Sequence, residues 1–249
     1  MPLARPRSII SSVKSPQFFA LIPAAGTGSR IGEQRPKQYL TLLDQPMLHY
    51  AIRTLCWHAA ITRTFLVLGP DDDWFATFDW SAFSEKLTVF RCGGASRAQS
   101  VLNGLIAMEP EVGQDDWVMV HDAARPCLSQ VMVDRLIQEV GADSVGGLLA
   151  LPVSDTLKRA DQGRVLATEP REKFWLAQTP QMFRLGLLLR ALREANLASV
   201  TDEASAVEGL GFQPKLVAGD PGNLKVTVRQ DLFLAESIIK QSSRLPSST

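Results

Sequence analysis

The sequence predicts an α/β fold in which a mostly parallel sheet carries helices on both faces and extends one β-hairpin arm. Three observations predict it. Short apolar runs alternate with helical patterns from Phe18 onward. Most of these runs are continuously apolar rather than alternating, as strands covered on both faces must be. One polar stretch, after Pro152, breaks the alternation. Taken in order, the expected strands are residues 18–22, 64–68, 87–91, 117–121 and 145–151. Between them, Met47, Leu48, Ala51, Ile52, Leu55 and Cys56 share one helical face. Ala98, Val101, Leu102, Leu105 and Ile106 share a second, and Met132, Val133, Leu136, Ile137 and Val140 a third. Strand, helix, strand, repeated, is the pattern of a layered α/β domain.

After Pro152, VSDTLKRADQGRVLATEP reads as two extended segments joined by a turn near Asp161, Gln162 and Gly163. This arm, residues 152–175, has little to bury against its own core, so packing on another subunit is favoured over an exposed flap. Helical pattern resumes over residues 184–196 and 202–209, strands are expected at 214–218 and 223–227, and a helix over 230–240 closes the domain. The organisation is one domain, residues 18–240, between a flexible extension at 1–17 and a flexible polar tail at 241–249.

Composition bounds the function. The 249 residues carry 26 Lys and Arg against 26 Asp and Glu, with 45% hydrophobic residues. A chain of that length and balance buries a sizeable core, and its zero net charge argues against a broad nucleic-acid-binding face. No apolar run approaches the roughly 18 residues of a membrane helix. The basic, Ser-rich start lacks the apolar stretch of a secretory signal. Cys56, Cys92 and Cys127 form no CxxC pair, which points to reduced thiols and a cytoplasmic location.

Ligands of open α/β sheets bind beyond the carboxyl ends of the strands, so the chemistry is sought there. After the first strand, PAAGTGSRIGEQRPKQY brings Gly26, Gly28 and Gly32 together with Arg30 and Lys37. Glycines let the backbone turn and approach a ligand, and their N–H groups cradle phosphate oxygens. The spacing is neither a Walker A loop nor GxGxxG. After the third strand, CGGASRAQSVLNGL opens a helix behind Gly93 and Gly94, with Ser96 as its cap. Arg97 in that first turn opposes the helix dipole and so calls for an anionic partner, a side chain or a ligand. After the fourth strand, VHDAARPCLS places Asp122 where a Mg²⁺ ligand belongs, since that ion takes one or two carboxylates plus phosphate oxygens. His121 reads as a hydrogen-bonded strand-end residue. Asp71, Asp72 and Asp73 read as a solvated turn rather than a metal site. Thr201, Asp202 and Glu203 open a helix, where capping alone can explain them. Lys225, in an apolar stretch, needs a partner or an opening to solvent. There is no GxSxG elbow and no HExxH. Cations, glycines and one carboxylate hold and align phosphates, which points to phosphoryl or nucleotidyl transfer, or to plain nucleotide binding.

PAAGTGSRIG...RPKQYL, GGASRAQSVLNGL, VHDAARP, the SDT of the hairpin, AQTPQMF, TDEASAVE and NLKVT resemble, in order, the motifs of the 2-C-methyl-D-erythritol 4-phosphate cytidylyltransferase family. The first is shared by many sugar-phosphate nucleotidyltransferases; VHDAARP with TPQ and TDEAS is far more specific. The resemblance implies a Rossmann-like nucleotidyltransferase fold, CTP and methylerythritol phosphate as substrates, pyrophosphate release, Mg²⁺, and a homodimer whose arms reach each other's sites. By that resemblance Arg30 and Lys37 stabilise the transition state at the triphosphate, and Ala24, Ala25, Gly26, Gly94 and Ser100 hold CTP. Asp122 meets metal and substrate, and Arg125, Thr201 and Lys225 form the methylerythritol phosphate site. Thr156 and Arg171 are arm residues supplied by the partner. Where the family often carries an acid after the second glycine, this chain has Ala95. A ribitol 5-phosphate cytidylyltransferase and a catalytically inactive nucleotide-binding protein are the alternatives.

Overall fold

The computed structural model describes residues 15–26 and 35–242. Arg30 and most of the predicted extension and tail lie outside these residues. β1 (Phe18–Pro23) is followed by the two-residue strands β2 (Thr41–Leu42) and β3 (Gln45–Pro46), then α1 (Met47–Cys56) and β4 (Ile61–Val67). β5 (Leu87–Phe90), α2 (Arg97–Met108), β6 (Trp117–Val120), α3 (Gln130–Val140) and β7 (Gly146–Pro152) complete the first half. The hairpin is β8 (Leu157–Asp161) and β9 (Arg164–Glu169). β10 (Trp175–Arg184), α4 (Leu185–Glu194), α5 (Glu203–Gly209), β11 (Lys215–Ala218) and α6 (Arg229–Ser242) follow.

Seven strands form one sheet in the order β11-β7-β10-β6-β1-β4-β5. β1 lies parallel to both β4 and β6, and β11 parallel to β7, whereas β10 runs antiparallel to both its neighbours. The two cores explain why the strands read as continuous apolar runs. On β1, Ala20 and Ile22 point into a core with Leu48, Ile52 and Leu55 of α1 and Val133 and Leu136 of α3. Phe19 and Leu21 point the other way, into a core with Val101 and Leu105 of α2 and Leu188 and Leu192 of α4. A third, smaller cluster joins Met47 and Tyr50 of α1 to Val226 and to Ala235 and Ile239 of α6. Among the described residues no helix is long and apolar enough to cross a membrane.

The structure departs from the sequence expectations at three places. β10 was not expected as a strand, because Gln178, Thr179 and Gln181 interrupt its apolar pattern; all three are buried, and the pairing with β7 slips between Ala177 and Gln181. The strand expected at 223–227 is not one. Its backbone bonds once locally, Asn223 N to Asp220 O at 2.9 Å, and once to the loop after β6, Val226 N to Ala124 O at 2.8 Å, rather than along a neighbouring strand. α6 also runs through Ser242, two residues into the tail expected to be flexible.

α2 lies close on the sheet because Gly104 has no side chain. A Cβ there would sit 2.5 Å from Val67 Cγ2 and 2.9 Å from Leu21 Cδ1, both in buried strands. Gly104→Ala should therefore lower stability by roughly 1–3 kcal/mol, the scale of overpacking a dense core. Urea unfolding measures it, and an unchanged midpoint would contradict the close packing.

Candidate active site

The cavity lies where the parallel strands end. The chain leaving β1 is tied to β4 through Ala24 N and Val67 O at 2.8 Å, and the chain leaving β5 is tied to β4 through Gly93 N and Leu68 O at 2.8 Å. These loops touch so closely that a Cβ on Gly93 would fall 2.2 Å from Ala25 Cβ and 2.8 Å from Leu68 O. Glycine here is a requirement of close approach. Ser96 caps α2 by accepting from Gln99 N at 3.1 Å. Ser100, one turn later, accepts from Gly94 N at 3.0 Å and donates to Ser96 O at 2.8 Å, which sets the loop against the helix.

Lys37 follows Pro36 in a 3-10 turn over Lys37–Tyr39. Gln38 donates from Nε2 to Ala24 O at 2.8 Å, and buried Tyr39 donates its hydroxyl to Asp72 Oδ2 at 2.8 Å. Burial first, then that carboxylate, pushes the Tyr39 phenol well above its usual range. The turn is pinned on both sides, and Lys37 Nζ itself donates to Val226 O at 2.7 Å. Asp72 also accepts from Phe75 N at 3.0 Å, so this half-buried acid ties Tyr39 to the turn rather than being simply solvated.

Asp122 is the centre of the charge. Its carboxylate is only 7% exposed, yet both oxygens are held by cations, Oδ1 by Arg97 Nε at 2.7 Å and Oδ2 by Lys225 Nζ at 2.7 Å. Burial alone would raise its pKa; the charges and hydrogen bonds of Arg97 and Lys225 outweigh it and hold the carboxyl well below the usual range. Arg97 reaches further, donating to Glu203 Oε1 at 2.7 Å and Oε2 at 3.1 Å. Glu203 is 1% exposed, and burial pushes its pKa up against the pull of Arg97. The partner that Arg97 demanded is thus a pair of side chains, and Lys225 has found its own.

Polar residues of β10 bring these groups together. Thr179 Oγ1 accepts from Asp122 N at 3.0 Å and lies 3.1 Å from His121 Nδ1. His121 is fully buried, with Nε2 3.1 Å from Arg125 O. Gln181 accepts from Ala204 N at 2.8 Å and donates to Asp202 Oδ2 at 2.8 Å, fixing the start of α5. Asn223, fully buried, donates to Thr179 O at 2.8 Å and so anchors the segment that carries Lys225.

A cavity of about 510 Å³ opens between these loops, lined by Ala24, Ala25, Gly26, Lys37, Gly94, Ser100, Asp122 and Lys225, and also by Ala95, Ser96 and Arg97. Eight residues expected at one site are therefore together. Four are not among its lining. Arg125 is buried and turned to main chain, donating to Asn223 O at 2.6 Å and to Ala177 O at 3.3 Å. Thr201 is exposed beside Ser205, with 3.3 Å between the hydroxyls. Thr156 and Arg171 are exposed on the arm, where Arg171 donates to Ser154 O. Arg30 lies outside the described residues. The pairing of Glu203 was missed, because as the second acid of a capped helix start it looks fully explained by capping.

The donor set fits a Mg²⁺ ion carried on phosphates. Among the described residues no group of three or more acids, histidines or cysteines could cage a metal, but the single carboxylate on the cavity wall suits an ion that takes its other oxygens from a substrate.

The sequence model of the IspD family, 2-C-methyl-D-erythritol 4-phosphate cytidylyltransferase, matches residues 18–241. Similar proteins of that name come from Nitrosospira multiformis, 57% identical over 90% of this chain and 97% of the relative, and from Dechloromonas aromatica, 54% identical over 90% and 98%. Among solved structures, a 4-diphosphocytidyl-2C-methyl-D-erythritol synthase is similar with a TM-score of 0.79 at 41% identity, covering 90% of this chain and 98% of that one.

Two outcomes follow from the buried network. Glu203→Ala leaves Arg97 with Asp122 alone and should cost about 2 kcal/mol or more, less than for a fully buried pair because water reaches Arg97; a smaller loss in urea unfolding would demote the pair. Burial lowers the His121 pKa from 6.5 to about 4. As pH falls through that window the unfolded chain takes the proton first, so His121 should remove roughly 3 kcal/mol of stability by pH 4. Urea midpoints across that window, flatter in His121→Gln than in the parent, check the sign.

Proposed function

The chain belongs to the 2-C-methyl-D-erythritol 4-phosphate cytidylyltransferase family, and from that premise we propose how its cavity transfers the cytidylyl group of CTP to 2-C-methyl-D-erythritol 4-phosphate with release of pyrophosphate. The observation that carries this reading is one ionised carboxylate between two cations at the meeting point of two glycine-bearing loops. The acceptor phosphate attacks the α-phosphorus of CTP, and the bond to the β-phosphate oxygen breaks. A phosphate monoester has a second pKa of about 6, so at neutral pH the attacker is already largely dianionic and needs no general base. Among the described residues the cavity wall offers none: the carboxylate there, Asp122, is held ionised by two cations, and His121 lies buried between Thr179 and Arg125.

The barrier is then repulsion between two polyanions, and the residues divide the work of cancelling it. The loops at residues 24–26 and 93–96 allow close approach to CTP and offer it the backbone N–H groups of Ala25, Gly26, Ala95 and Ser96, with Ser100 holding the second loop in shape. Lys37, joined by Arg30, stabilises charge developing at the triphosphate. Asp122 would hold Mg²⁺, which would supply positive charge against the triphosphate. Lys225 meets the acceptor phosphate, and Thr201, exposed beside Ser205 outside the cavity lining, is assigned to the acceptor by the family resemblance alone. Arg125 acts from behind, bracing Asn223 two residues before Lys225.

Arg171 and Thr156 need a second copy of the chain. The arm and its root expose Val165, Leu166, Phe174, Trp175 and Leu176, apolar surface that supports a homodimer in which each arm reaches the other cavity. A cytoplasmic enzyme with three free thiols is consistent with this reading.

The direct assay is pyrophosphate release from CTP and Mg²⁺, with methylerythritol phosphate compared against ribitol 5-phosphate; release with neither would leave a nucleotide-binding protein. Lys37→Ala should lower kcat about 100-fold, the scale of losing a key charge stabiliser, and near-normal turnover would remove it from the chemistry. Mixing Arg171→Ala with Lys37→Ala subunits should restore one intact site per mixed dimer. Activity that stays at the level of the parents in verified mixed dimers would rule out exchange of arms.

A further inference from the structure

Any divalent cation that approaches Asp122 meets oxygens already held by cations, and the two cations are unequal. Arg97 makes one bond to Asp122 and two to Glu203. Glu203 is 1% exposed and rooted at the start of α5, so it cannot follow Arg97 out, and Arg97 cannot leave without stranding a buried carboxylate. Lys225 makes a single salt bridge, to Oδ2, through a flexible four-carbon stem that is 43% exposed. Its main chain is held independently, by Asn223 and by Val226 N on Ala124 O, so the ammonium can move while the backbone stays. As it stands, the cluster of Asp122, Glu203, Arg97 and Lys225 balances two negative groups against two positive ones. A divalent cation beside Lys225 upsets that balance unless the lysine finds another anion.

We propose that Lys225 is an exchangeable counter-ion, which caps Asp122 until a divalent cation takes Oδ2 and then turns to the acceptor's phosphate. Glu203 decides which cation moves: by anchoring Arg97 it leaves Lys225 as the only mobile partner of the pair on Asp122. Metal and acceptor then bind cooperatively, each raising the affinity for the other by the same factor, as linkage requires. This rests on the proposed reading that Asp122 meets the metal and Lys225 the acceptor phosphate.

The test uses Mn²⁺ as a paramagnetic probe, with binding followed by electron spin resonance and acceptor binding by calorimetry, in the full-length enzyme without CTP. In the unaltered chain, saturating methylerythritol phosphate should tighten Mn²⁺ binding about 5-fold or more, and Mn²⁺ should tighten methylerythritol phosphate equally. Lys225→Met should bind Mn²⁺ alone more tightly than the unaltered chain, although it loses turnover, and the coupling should fall to near unity; Lys225→Gln should agree. Direct attraction between metal and phosphate, with Lys225 static, would leave the coupling intact in both variants, and that result overturns the exchange. Mn²⁺ binding that survives in Asp122→Asn is a different failure: it removes Asp122 as the metal ligand, and the exchange with it.

Discussion

A carboxylate with almost no access to water stays ionised only if opposite charge or hydrogen bonds offset its burial, and the architecture around Asp122 supplies both, with a cation on each oxygen. Arg97 comes from the first turn of α2, Lys225 from an irregular segment before α6, and Glu203 from the start of α5. None of these is near Asp122 in the chain, so three crossovers must converge for the charge to persist. Arg97 also offsets the burial of Glu203, while Lys225 keeps a side chain 43% exposed at the cavity. The site is rigid on the Arg97 side and yielding on the Lys225 side, a useful asymmetry for a pocket that must bring two polyanions together.

β10 is the mechanical basis of that convergence. An ordinary strand in the middle of a sheet is apolar on both faces, but this one carries Gln178, Thr179 and Gln181 where its pairing with β7 slips. Each bonds to a different loop: Thr179 to residues 121–122, Gln181 to 202–204, and Gln178 to Asp220. Buried polar groups without partners would be costly, so these loops take the positions that satisfy them.

The same feature explains what could and could not be read from the sequence. The parallel strands and the helices α1 to α3 were legible because burial on two faces imposes apolar runs and stripes that need no knowledge of neighbours. The glycine loops were legible because close approach has a local signature. β10 was not, since its polar residues imitate a loop. Leu224 and Val226 imitate a strand where the backbone is in fact bonded to Asp220 and Ala124. Arg97 announced a missing anion by standing against a helix dipole, but the answering Glu203 lies 106 residues away and gives no local sign.

The arm leaves the sheet at the end of β7 and returns at the start of β10, and the two points are paired, Pro152 opposite Trp175. The excursion therefore opens and closes at one place on the sheet, like a side branch on a stem. Residues within it can be lengthened, shortened or exchanged without shifting the register of the strands that bear the chemistry. The branch can accordingly drift in length and composition at a rate separate from that of the sheet, held to it only where the branch joins.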